Sequence, residues 1–114
     1  MTNEKFNQII HDQLKFCESL LTRKGEEYDN DTNDRLHSFK TAAKLQDITP
    51  KQALAGMLAK HTISIFDMCQ GKDEYSPDKW CEKITDHINY LLLLWAMVVE
   101  EVGNDDEPKK NLEH

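Results

Sequence analysis

Ser76-Pro77-Asp78-Lys79-Trp80-Cys81-Glu82-Lys83-Ile84-Thr85-Asp86-His87-Ile88-Asn89-Tyr90-Leu91-Leu92-Leu93-Leu94-Trp95-Ala96-Met97-Val98-Val99-Glu100-Glu101-Val102-Gly103 reads as one long helix. Serine is a preferred N-cap, and proline fits the first helical position, where its missing N–H costs nothing. Gly103 supplies a stop, so the helix reaches about Val102 and spans roughly 40 Å at 1.5 Å per residue. One apolar stripe is Ile84, Ile88, Leu91, Trp95, Val98 and Val102; a second, on the opposite side, is Tyr90, Leu93, Leu94 and Met97. A helix apolar on both sides needs cover on both sides. With only 114 residues available, part of that cover is expected from a second copy, giving a homodimer with this helix near the interface.

Working outward, Thr49-Pro50 repeats the cap-then-proline device and predicts a third helix that runs to about Gln70 and stops at Gly71. Its core stripe is Leu54, Met57, Leu58, His61, Ile65 and Met68. Phe6, Ile9, Ile10, Leu14, Phe16, Leu20 and Leu21 recur at mostly helical spacing and predict a first helix over Asn3–Arg23, ended by Gly25. The polar stretch Glu26–Asp34 favours turns. A short second helix is expected over Asp34–Leu45, burying Leu36, Phe39, Ala42, Ala43 and Leu45. No strand alternation occurs, so the fold class is all-α: a four-helix bundle with a short second helix, one domain over 1–103. Residues 104–114 read as a charged tail, and Leu112-Glu113-His114 resembles an expression-tag scar.

Acidic residues outnumber basic ones, 21 to 14, for a net charge of −7. That argues against general DNA binding, which depends on lysine and arginine neutralising phosphates. It leaves nucleotides open, because metal ions can hand phosphates to carboxylates. The longest apolar run, Tyr90–Val99, is about half of what spans a bilayer. The first residues show no charged-then-apolar leader pattern, so a cytoplasmic protein that neither spans nor enters a membrane is expected. Cys17, Cys69 and Cys81 are far apart with no CxxC pair, and read as reduced thiols. A Gly-rich phosphate loop, HExxH and GxSxG are absent, and no serine, histidine and aspartate have the spacing of a triad.

Several residues carry possible chemistry. Asp86 precedes Tyr90, Leu93 and Met97 by four, seven and eleven residues, which continues the second stripe and turns its carboxylate toward the bundle. A carboxylate there must be paired, hydrogen-bonded or metal-bound; a structural salt bridge or a solvated helix start is the alternative. On the third helix Lys60, Ser64 and Asp67 form a polar stripe, where lysine can hold a phosphate and aspartate a divalent cation. A solvated face is the alternative there. Glu26, Glu27 and Asp29, beside Lys24 and Tyr28, have the oxygen density that suits magnesium, or a solvated loop. Trp80 can pack in the core or stack on a base.

Glu82-Lys83-Ile84-Thr85-Asp86-His87-Ile88-Asn89-Tyr90 followed by four leucines resembles the last catalytic helix of the MazG-like, all-α NTP pyrophosphatases. In that family an ExxD pair leads into an apolar run with a tyrosine four residues after the aspartate. Lys24–Val99 is more similar to the nucleotide-modification-associated domain family of phages and prophages. That family has Lys-x-x-[Asp/Glu]-Tyr, here Lys24-Gly25-Glu26-Glu27-Tyr28, and Asp-x-x-Asn-Tyr, here Asp86-His87-Ile88-Asn89-Tyr90. The MazG resemblance implies magnesium held by EExxE on one helix and ExxD on the next. It also implies attack by metal-activated water between the α and β phosphates. Asp86 matches the ExxD aspartate, Lys83 stands at its glutamate, and Glu82 is one residue out of register. Lys60, His61, Ser64 and Asp67 occupy the region of EExxE.

Two readings follow. The first is a phage or prophage nucleotide-metabolism protein, a magnesium-dependent nucleoside triphosphate pyrophosphohydrolase or a (d)NTP-binding protein. It uses Glu27, Asp67 and Asp86 as metal carboxylates, with Asp86 and Lys60 in the catalytic role and Lys60 on phosphate. The second is a non-catalytic all-α binding or assembly module on the same scaffold.

Overall fold

Four helices follow the sequence's own punctuation. The computed structural model describes residues 1–28 and 33–103, with the side chains of 24–28 outside that description. The helices are α1 (Asn3–Tyr28), α2 (His37–Gln46), α3 (Pro50–Cys69) and α4 (Pro77–Val102), and no strand occurs among the described residues. No described helix is long and apolar enough to cross a membrane.

The two cap-then-proline signals act as expected. At α3, Thr49 Oγ1 accepts the Gln52 N–H at 3.1 Å, and Gln52 Oε1 accepts the Thr49 N–H at 2.9 Å. This reciprocal capping box satisfies two donors at the helix start. At α4, Ser76 Oγ accepts the Lys79 N–H at 3.1 Å. Gly71 and Gly103, each at φ 76°, follow α3 and α4 in a conformation that side chains disfavour.

Gly25 does not end α1, which continues to Tyr28. A glycine inside a helix costs only about 1 kcal/mol relative to alanine, and the next two residues, Glu26 and Glu27, are good helix formers. The start of α2 also differs from expectation: Asp34 stands outside the helix. Its Oδ1 accepts the Leu36 N–H at 3.0 Å, shaping the turn that leads into His37. Leu45, expected inward, is 83% exposed.

Leu36, Phe39, Leu54 and Met97 form the centre of the core, with Leu58, Tyr90, Leu93 and Leu94 packed against it. The second stripe of α4 is thus its core-facing side. Leu54 is fully buried, a contribution of about 1.5–3 kcal/mol from its side chain alone. α3 packs on α4 and α2 on α3, whereas α1 reaches only α4 among the described helices. The α1–α4 contact is built from small and polar groups. Cys17 and Thr85 are each 1% exposed, and Gln13 Nε2 donates to Thr85 Oγ1 at 2.7 Å.

The other stripe of α4 remains largely open in the single chain: Ile84, Leu91 and Trp95 are exposed, while Ile88, Val98 and Val102 are half-buried. α1 likewise exposes Phe6, Ile9, Ile10, Leu14 and Phe16.

Candidate functional site

The side of α4 that faces the rest of the molecule carries Asp86 and, three residues on, Asn89. Positions three apart lie on one helix face, separated by about 4.5 Å of rise. Asp86 is half-buried and lines a groove between α1 and α4 with Phe16 and Leu20. Asp78, Glu82, Cys81 and Thr85 complete that lining.

Asn89 lies deeper, at 6% exposure, and neither its Nδ2 nor its Oδ1 has a hydrogen-bond partner among the described residues. Leaving a buried amide unpaired costs about 1–3 kcal/mol. The residue helps line a half-enclosed cavity of about 280 Å³ with Leu21, Arg35, Ser38, Phe39, Met57, Tyr90 and Leu93. All four helices contribute to it: Leu21 from α1, Ser38 and Phe39 from α2, Met57 from α3, and Asn89, Tyr90 and Leu93 from α4. Phe39 and Asn89 are the buried members, Ser38 and Met57 are exposed, and Arg35 is half-buried. The cavity lining is thus mainly apolar, with one buried amide and one half-buried cation.

Aromatic packing fixes the walls. The Tyr90 ring meets Phe39 edge-on, with centroids 6.4 Å apart and planes at 80°. On its other side it lies against His61 at 4.7 Å. His61 is therefore a half-buried core histidine, as its place on the apolar stripe suggests.

Arg35 is carried by a pinned turn. Asp34 Oδ2 accepts from Lys40 Nζ at 2.9 Å, and Lys40 Nζ also reaches Glu100 Oε1 at 2.7 Å. The Lys40 hydrogen bond, followed by that from the Leu36 N–H, holds the Asp34 carboxyl below the usual carboxylate range. Hydrogen bonds to Asp34 and then Glu100 raise the Lys40 ammonium above its usual range. Asn33, at φ 52°, starts this turn in the left-handed region that asparagine tolerates.

The remaining expected residues are dispersed. Lys60 and Asp67 are exposed on α3, and neither lines the Asp86 groove or the Asn89 cavity. The Glu27 side chain lies outside the described residues, as do those of Lys24 and Tyr28. Among the described residues, no three His, Cys, Asp or Glu side chains gather to hold a metal ion. Asp86 and Glu82, one turn apart in the groove, still offer two carboxylates, and magnesium often takes one or two alongside phosphates. Trp80 is half-buried and packs edge-on against Tyr75 at 6.2 Å, away from the cavity lining.

Of the polar residues in the cavity lining, Asn89 enters the sequence reading only through the Asp-x-x-Asn-Tyr resemblance, and Arg35 and Ser38 do not enter it. Asn89 had a signal: it is the one amide beside the run Tyr90–Val99, in step with the core-facing Leu93. Arg35 had none, being one charge in a polar turn. Comparisons with protein-family models, with curated proteins and with solved structures return no match.

Proposed function

We propose that this chain binds a nucleoside triphosphate as a MazG-like homodimer of nucleotide metabolism, such as phages and prophages encode, and hydrolyses it to a monophosphate and pyrophosphate with magnesium. The observation that carries the reading is the cavity among the four helices, with Arg35 in its lining. Guanidinium forks match phosphate oxygens bidentately. Asp86 lines the neighbouring α1–α4 groove, three positions before Asn89 on α4, and is the proposed carboxylate for the metal that accompanies the phosphates. In this reading magnesium arrives with the phosphates and supplies charge neutralisation and a more acidic water. Asp86 and Glu82, with Glu27, are its proposed ligands. Asp67 and Lys60 are exposed on α3 and line neither the cavity nor the groove, so they have no direct contact in this reading.

The homodimer rests on the exposed apolar sides of α1 and α4. Nine large side chains on these helices, Leu14 and Trp95 among them, are 41–56% exposed. At roughly 150–250 Å² for a large side chain, they present on the order of 800 Å² per chain, the size of a standard stable interface. The same surface favours a second reading, a non-catalytic assembly module on this scaffold.

Pyrophosphate release from canonical and modified dNTPs with magnesium separates the two. Release that Asp86→Asn abolishes is expected. No release from any substrate selects the assembly module.

A further inference from the structure

We infer that Asn89 reads the base of the bound nucleotide and that the cavity around it is a base pocket. This deepens the nucleotide reading and rests on it. A side-chain amide presents donors and an acceptor in one plane. Its natural complement is a flat edge with a donor next to an acceptor, the pattern that bases carry and that asparagine reads bidentately on adenine.

Asn89 meets the requirements of such a reader. It is 94% buried by its 6% exposure, and both polar atoms are unpaired among the described residues. It lines the cavity beside aromatic and apolar surface from Phe39, Tyr90 and Leu93 that suits a flat ring. An apolar side chain at this position would leave no amide unpaired. Retaining the amide therefore points to a ligand edge that pairs with it.

The cavity's size and charge identify the ligand as a free mononucleotide. About 280 Å³ is at the small end of ligand pockets and suits one base with its sugar. A polymer would have to overcome the −7 net charge. With the base against Asn89, the half-buried Arg35 is the cation available to the phosphate.

The test is equilibrium binding of the four dNMPs without metal, each compared with an analogue methylated on its donor edge, such as N6,N6-dimethyl-dAMP or N3-methyl-dTMP. Methylation of the preferred base should weaken binding to the native chain roughly tenfold or more, the loss expected for one bidentate pair. Asn89→Leu should bind native and methylated forms alike. Arg35→Gln should weaken the dNMP but leave the matching nucleoside unchanged. dNMP binding that ignores both methylation and Asn89→Leu overturns base reading while leaving nucleotide binding intact. Binding of single-stranded oligonucleotides in preference to mononucleotides also overturns it. Failure of every nucleotide, with or without magnesium, removes both proposals. The methylated analogues need only the native chain, so a poorly folded variant does not blunt the result.

Discussion

Gln13 of α1 donates its side-chain amide to the hydroxyl of Thr85 on α4 at 2.7 Å, and Thr85 is 1% exposed. Cys17 and Cys81 flank the same pair, with Gln13 Nε2 3.5 Å from Cys17 Sγ and Cys81 Sγ 3.8 Å from Thr85 Oγ1. Because α1 reaches only α4 among the described helices, this small polar cluster does much to set where α1 sits. It also sets where Leu21 closes the cavity and Phe16 the groove.

Thr85→Val keeps the shape of the side chain but removes the acceptor for Gln13. The expected cost is about 1–2 kcal/mol, read as a lower urea midpoint. Amide exchange should accelerate first in α1, whose attachment weakens before the α2–α3–α4 core. An unchanged midpoint with uniform exchange would show that α1 is held by other means.

The Lys40 bridge predicts a pH dependence. Asp34 titrates below its ordinary 3.8 in the folded chain, so its contribution is present above that pH and is lost as pH falls through the folded value. Lys40 titrates above its ordinary 10.5, so its contribution is complete below that pH and is lost as pH rises through the folded value. Both side chains are about one-third exposed, so solvent screens the pair. Lys40→Met should cost about 0.5–1 kcal/mol at neutral pH and low salt. It should cost less in 1 M salt, and progressively less as pH falls through the folded value of Asp34. A penalty that does not fall with pH would assign the loss to packing of the lysine stem.

The open sides of α1 and α4 predict a dimer in solution, with twice the 13.3 kDa of one chain. Trp95 is 46% exposed in the single chain, and buried tryptophans dominate many interfaces. Trp95→Lys should shift the dimer toward monomer by roughly 2 kcal/mol or more, visible by light scattering. A native chain that stays at 13.3 kDa across concentrations would remove the dimer.

The helix starts were legible because they are local. Thr49-Pro50 and Ser76-Pro77 carry both the cap oxygen and the preset backbone within a few residues. The core side of α4 was legible for a similar reason, since Tyr90, Leu93, Leu94 and Met97 recur at helical spacing. Gly25 misled because a glycine is a stop only if the chain turns after it, and here the next residues prefer helix. Asp86 was read as facing inward, and it lines an interhelical groove. The cavity was not legible as a site. It arises where Leu21, Arg35, Met57 and Asn89, 68 positions apart at the extremes, come together, and no short-range pattern encodes that meeting.

The most direct measurement is side-chain NMR of the native chain during titration with dNTPs. Saturable shifts of the Asn89 side-chain NH2, the Arg35 Nε–H and the Tyr90 ring are expected, with the exposed Lys60 and Asp67 little affected. Shifts scattered over surface lysines, or none at all, would contradict nucleotide binding in the cavity.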